Sequence, residues 1–392
     1  MTATRPQPGR NASPRTARAI NDRLALHLLH REGPLTAAQL KELTGLSRPS
    51  VADLVERLQE SGLIEVVGES GAARRGPNAR VYGIVAGRAY VAGLDVRVDS
   101  IGVEIADLLG TTLTRAGLTV PDGADPAATI ESGVRLLLDA AGGKPLHTVA
   151  CGAPGLVDPG TGRLAATGEL PAWHADLVDE VRRRTGVPVL LENEVNLAAV
   201  AEQRLRGGAP DETFVLLWIG GGVGAALMLE GRLRRGTSGG AGEVGFLPVA
   251  AGGRLPTATN CDDGFHGLAG SHAVCALARA HGIPAGPLAD AAAAADAVRA
   301  GSPAFLDELA GRIAVGAAAI CAVLDPGTVV LAGEVGAAGG TDLAERVAGR
   351  LALLSPLRTR VLATAVPSGP ILRGAVITAM DRAQDALFSP QP

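Results

Sequence analysis

The residues best placed to do chemistry form a polar knot, Glu192-Asn193-Glu194. It lies between the apolar run Val189-Leu190-Leu191 and an Ala-rich helix that starts with Val195. A carboxylate at such a place can accept a proton from a substrate hydroxyl or hold a ligand. It is also simply favoured at a helix N-terminus, where the peptide dipoles attract negative charge. Glycine-rich loops accompany the knot. In Trp218-Ile219-Gly220-Gly221-Gly222-Val223-Gly224 the absent side chains let backbone N–H groups approach a phosphate, although a tight hairpin needs the same glycines. Leu331-Ala332-Gly333-Glu334-Val335-Gly336 and Gly152-Ala153-Pro154-Gly155-Leu156-Val157-Asp158 are further turn-rich elements. Cys151, Cys261, Cys275 and Cys321 are too scattered for a disulfide framework or a zinc ribbon, so a reducing cytoplasm is expected.

The elements that position these residues read as layered α/β structure. Strands are expected at 91–95, 101–106, 113–120, 148–151, 187–191, 213–219, 224–229 and 328–332. Helices lie between them, one over Ala127–Ala141, and the alternation argues a largely buried sheet. The 392 residues suffice for two or three domains with large cores. No apolar run reaches the ~18 residues of a membrane span, and the N-terminus has no apolar segment for export, so no membrane partner is expected.

Charge divides the chain. Residues 1–88 carry 13 Lys and Arg against 8 Asp and Glu, a net +5, while the whole chain is −4. A basic end on an acidic body suggests that this end meets a polyanion. Residues 1–17 read as a mobile arm. From 18 to 85 the spacing is that of a winged helix-turn-helix. A helix begins near Arg18 with Ile20, Leu24 and Leu28 on one face. Thr36-Ala37-Ala38-Gln39 is a capping box for a short helix with Leu40 and Leu43 inward. Gly45 turns the chain, and Ser47 caps a third helix with Pro49 in its first turn. In that helix Val51, Leu54, Val55 and Leu58 form the buried stripe, leaving Arg48, Ser50 and Asp53 outward. Two short strands, 63–67 and 81–84, flank a basic loop. The expected contacts with a double-stranded DNA operator are Ser47, Arg48, Ser50, Arg74, Arg75 and Arg80. Asp53 and Glu56 oppose phosphate where they approach it.

Six motifs in order make the chain resemble the ROK family (repressors, open reading frames and sugar kinases), specifically its transcription-regulator branch. They are Gly152–Asp158, Leu170-Pro171-Ala172-Trp173, Glu192–Asn196, Gly220–Gly224, Gly239-Gly240-Ala241-Gly242-Glu243-Val244-Gly245 and Gly333-Glu334-Val335. The resemblance covers roughly residues 18–385. It implies a two-lobed actin-like (ribonuclease H-like) fold, with residues 88–198 plus about 368–385 in the first lobe and 199–367 in the second. A sugar cleft lies between them.

The departures from the family pattern carry the functional expectation. The family's general base, an Asp, maps onto Glu194, whose extra methylene moves the carboxylate by ~1 Å. Glu at this position is typical of the family's xylose-repressor-like regulators. The first phosphate loop, Asp-x-Gly-Gly-Thr in the family, is Asp95-Val96-Arg97-Val98-Asp99 here, and a carboxylate at Asp99 would repel ATP oxygens. Asp95, Asp99, Gly220, Gly222, Gly224 and Gly333 therefore mark degenerate nucleotide loops. The family's three zinc cysteines fall on Thr257, Thr259 and Gly264 and its zinc-binding, sugar-contacting His on Phe246, so neither a metal nor any other cofactor is expected. Cys261, Asp262, Asp263 and His266 read as a surface loop. The implied sugar site combines Glu169, Asn193, Glu194, Glu243, Phe246 and His266, an acidic cleft with one apolar wall. A DNA-binding repressor follows, working as a homodimer or homotetramer, whose body senses a sugar or amino-sugar effector or has lost its ligand. An ATP-dependent sugar kinase is the alternative.

Overall fold

The computed structural model describes residues 14–70, 79–164, 173–207, 209, 211–249, 255–257, 260–288 and 290–389. The N-terminal module comprises α1 (Pro14–Glu32), β1 (Leu35–Thr36), α2 (Ala37–Thr44), α3 (Arg48–Glu60), β2 (Ile64–Ser70) and β3 (Ala79–Ile84), with β3 between β1 and β2. Local chemistry sets its corners. Thr36 Oγ1 accepts from Gln39 N at 3.3 Å while Gln39 Oε1 accepts from Thr36 N at 2.9 Å, completing the capping box. Gly45 closes α2 in the left-handed region at φ 70°, and Ser47 caps α3.

Three expectations for this module need correction. Helix α1 begins at Pro14, so residues 14–17 are helical rather than part of an arm; the rest of that arm lies outside the described residues. Ile20 and Leu24 face outward; Ala25, Leu26, Leu28 and Leu29 are buried, on the side where α2 and α3 pack. Leu43 is exposed too, because a helix as short as α2 presents only Leu40 to the core. The stripe on α3 is as expected.

The first lobe follows as β4 (Tyr90–Val96), β5 (Ser100–Asp107), β6 (Thr112–Thr119), α4 (Pro126–Ala141), β7 (Leu146–Ala153), α5 (Trp173–Thr185), β8 (Val189–Asn193) and α6 (Glu194–Leu205). Its sheet runs β6-β5-β4-β7-β8. The second lobe contains β9 (Phe214–Ile219), β10 (Val223–Leu229), β11 (Arg232–Arg234), α7 (His266–Ala269), α8 (Ser271–Ala280), α9 (Ala291–Arg299), α10 (Pro303–Leu324), β12 (Thr328–Ala332), α11 (Gly333–Leu354, broken at Gly340) and β13 (Arg360–Ala363). Its sheet runs β11-β10-β9-β12-β13, the same order and the same sequence of antiparallel and parallel pairings. The lobes are copies of one topology.

The last helix, α12 (Pro370–Phe388), returns to the first lobe and packs on β4, β7 and α6. The approach is close enough that a Cβ on Gly374 would collide with the carbonyl oxygen of Leu197 in α6. Helix α6 runs unbroken through the expected lobe boundary at 198/199 and touches β8 on one side and β9 and β10 on the other. One continuous apolar core links Leu26, Leu54 and Ile84 of the N-terminal module with Leu197, Ala375 and Val376 of α6 and α12, and with Phe214 and Trp218 of β9.

Candidate functional site

Two three-residue hairpin turns meet at the cleft between the lobes. Arg97-Val98-Asp99 joins β4 to β5, and Gly220-Gly221-Gly222 joins β9 to β10. Arg97 reaches across. Its Nη1 donates to Glu334 Oε1 at 3.0 Å, on the first turn of α11 in the other lobe, and its Nε donates to Asp95 Oδ2 at 3.2 Å. The His174 ring, fully buried, donates through Nε2 to the Arg97 carbonyl at 3.3 Å and holds the turn from below. Glu334 Oε2 lies against Gly220, so closely that a Cβ there would collide with it. Gly333, at φ 78°, packs on the Ile219 backbone and brings α11 to this position. A cavity of about 250 Å³ lies alongside, lined in part by Arg97, Trp218, Glu334, Thr364 and Ser368.

Electrostatics follow from this crowding. Burial raises the Asp95 carboxyl above the ordinary range, with Arg97 pulling the other way, and Asp95 Oδ1 has no hydrogen-bond partner among the described residues. Burial likewise pushes Glu194 up to about 7, Arg97 opposing and the nearby charges of Asp95 and Glu334 adding to it. Arg97 itself is held charged by its acidic neighbours despite its own desolvation. Asp99 plays a smaller part than its place in the sequence suggests: it is exposed and pairs with Ser100 Oγ at 3.0 Å. Arg97 and Glu334, rather than Asp99, hold the charges that meet across this part of the cleft.

On the opposite side of Glu194, strand β8 extends to Asn193, placing Glu192 and Asn193 in register with Gly152 and Ala153. Asn193 caps α6 by accepting from Val195 N and Asn196 N, and its Nδ2 donates to the Gly155 carbonyl at 3.0 Å. Glu192 is buried and accepts from Asn193 N, Asn196 Nδ2 and, at 2.6 Å, Arg235 Nε from the other lobe. Arg235 precedes the Gly236–Gly242 loop that delivers Glu243, and its carbonyl accepts from Ala241 N. That loop also rests on the turn Asn193 touches: a Cβ on Gly239 would strike the Val157 carbonyl. Asn193, Glu194 and Glu243 therefore share one frame. Glu243 and Phe246 are open to solvent, and His266 begins α7 beside them, its Cβ 3.6 Å from the Cβ position of Gly245. Glu169 and Thr259 lie outside the described residues.

Two of the positions where the resemblance puts the family's zinc cysteines are engaged otherwise. Thr257 pairs with Asn260 through the backbone, and Gly264 packs against the Gly245 and Leu247 carbonyls. Among the described residues no three His, Cys, Asp or Glu side chains converge to hold one.

At the far end, Ser47, Arg48 and Ser50 lie exposed at the start of α3. Ser47 Oγ and Ser50 Oγ are 2.9 Å apart, so the pair caps the helix as well as facing outward. Arg48 makes no ion pair among the described residues. Arg80 is exposed on β3 opposite Glu69, while Arg74 and Arg75 fall outside the described residues.

Residues 91–362 match the ROK family model. The chain belongs to the ROK family. Residues 19–76 match the model of the MarR family, in keeping with the winged helix observed there. The xylose repressor of Bacillus subtilis is 27% identical over 237 residues, 59% of this chain and 60% of that protein, so the ROK chain spans about three fifths of the relative's length. A glucokinase of Thermotoga maritima is 31% identical over 120 residues, 30% of this chain and 38% of the enzyme. Among solved structures, a ROK family transcriptional regulator described as a homologue of the E. coli MLC protein superimposes with TM-score 0.74 at 18% identity, over 95% of this chain and 98% of that one. A ROK family glucokinase from Streptomyces griseus, in complex with glucose and AMPPNP, does so with TM-score 0.62 at 24% identity, over 75% and 100%. The fold is a winged helix followed by a two-lobed actin-like body.

Sequence reasoning singled out Glu192 within the knot but passed over its partner Arg235, and passed over Arg97, His174 and Glu334 as partners across the cleft. The available signal was charge: an Arg in the loop after one strand and a Glu after the glycine that follows another are complementary.

Proposed function

We propose that this ROK chain is a DNA-binding transcriptional repressor whose kinase-derived body senses a sugar-like effector, amino sugars included, and which acts in the cytoplasm as a homodimer or homotetramer. The observation that carries the reading is a winged helix with an uncovered α3 N-terminus joined, through one continuous core, to a body whose nucleotide loops are bridged by Arg97 and Glu334. Repressors and kinases both stand among the relatives, and the winged helix favours the former. Ser47, Arg48, Ser50, Arg74, Arg75 and Arg80 would contact the operator. Glu169, Asn193, Glu194, Glu243, Phe246 and His266 would line the effector site. No metal or nucleotide cofactor enters this reading.

The test is fluorescence anisotropy of the full chain on duplex DNA from its own upstream region across a salt series. Binding should weaken steeply with salt, and Arg48→Ala should reduce the salt slope by about one. Affinity independent of salt would sink the proposal. A sugar kinase is the second reading, favoured by Glu194, whose pKa of about 7 suits a general base. Sustained ADP release over a panel of sugars and amino sugars would establish it; no turnover is expected.

A further inference from the structure

The nucleotide side of the cleft already holds an anion, and that anion belongs to the chain. Glu334 stands at the start of α11, its Oε2 against the Gly220 turn and its Oε1 3.0 Å from Arg97 Nη1. A glycine turn with no side chains and a guanidinium facing it from the opposite lobe are the ingredients of a phosphate site. We infer that Glu334 is the specificity-determining residue of this side of the cleft, an internal ligand whose carboxylate takes the place of a nucleotide phosphate between Gly220 and Arg97. The inference rests on the reading of the body as a sensor rather than a kinase.

Four features support occupation rather than simple decay. A site that had merely decayed would have no reason to carry a cation, whereas Arg97 stands on the first-lobe turn, oriented by Asp95 through Nε and by His174 through its carbonyl. The internal carboxylate competes at an effective concentration that a free ligand must exceed, because it is tethered at Gly333. A polyphosphate that displaced it would then sit beside Asp95, Glu194 and the released Glu334, with Arg97 as the counter-charge among the described residues there. The adjoining cavity of about 250 Å³ is also smaller than the usual small-ligand site. The same bridge joins the two lobes, so the cleft is held together on this side without nucleotide.

The inference predicts an asymmetry between the two partners of the bridge. Isothermal titration calorimetry of the full chain with pyrophosphate, and separately with ATP, is the test. Wild type should show no saturable binding at millimolar ligand. Glu334→Ala, which frees the guanidinium, should bind pyrophosphate at least tenfold more tightly than wild type, and Glu334→Gln should gain in the same direction. Arg97→Ala and the double variant should gain nothing. Equal pyrophosphate affinity in wild type and both Glu334 variants, or no gain in Glu334→Gln with an unchanged melting transition, would overturn the inference. Operator binding measured on the same samples keeps the outcomes separate: loss of the asymmetry with DNA binding intact removes the internal ligand and leaves the repressor reading standing.

Discussion

The turn between β4 and β5 and the turn between β9 and β10 occupy the same place in two sheets of the same strand order, yet they have been built for opposite purposes. Gly220-Gly221-Gly222 leaves its backbone bare, and its neighbour Gly333 is pressed onto Ile219. Arg97-Val98-Asp99 carries three side chains, of which one spans the cleft while Val98 and Asp99 face solvent. Topology alone therefore says little about what a turn binds. One lobe has kept the surface on which an anion can lie; the other supplies the cation that holds it.

The sharpest way to break this contrast is to place alanine at a position in each lobe. Gly333→Ala places a Cβ at φ 78° and against the Ile219 backbone, and should cost about 3 kcal/mol or more, read from the urea midpoint. A change under ~1 kcal/mol would mean that the second-lobe turn is as loosely held as the first. The next effect is electrostatic. Glu194 titrates near 7 in the fold against 4.5 in a free chain, so the folded state holds its proton longer and stability is lost as pH rises from about 4.5 through 7. Glu194→Gln should relieve this loss, gaining about 1–2 kcal/mol over wild type at pH 8 and little at pH 4.5. Melting curves at several pH values would show it, and a difference that does not vary with pH would mean that Glu194 is not held protonated by its surroundings. Least affected should be Val98→Ala in the first-lobe turn. The side chain is 52% exposed, and the substitution should stay within ~0.5 kcal/mol. A larger loss would show that this turn packs against something after all.

Legibility followed distance along the chain. The capping box at Thr36, the left-handed Gly45 and the cap at Ser47 are contacts within three or four residues, and the sequence displays them directly. The stripe on α1 was harder, because Ile20 and Leu24 have helical spacing but point away from α2 and α3, and periodicity cannot say which apolar face finds a partner. In the cleft, the polar knot at Glu192–Glu194 stood out, but the two ion pairs that cross between the lobes did not. Arg235 lies 43 residues from Glu192, and Glu334 lies 237 from Arg97. Only the fold brings such charges together. The weight given to Asp99 shows the same limit: its sign was readable, its outward direction was not.

Helices α6 and α12 touch almost backbone to backbone where Gly374 faces Leu197. Side chains between helices act as cushions, absorbing small displacements by changing rotamer; here there is nothing to compress. Glu194 opens α6 in the cleft, Arg204 near its other end pairs with Asp381 of α12, and Asp385 and Gln384 of α12 reach Arg23 and His30 of α1. On the proposed reading, a tilt begun at the cleft end of α6 would have little slack to take up before it reached the winged helix. The molecule is thus geared like a stiff linkage, in which the smallest residue on the contact sets how faithfully motion is passed along.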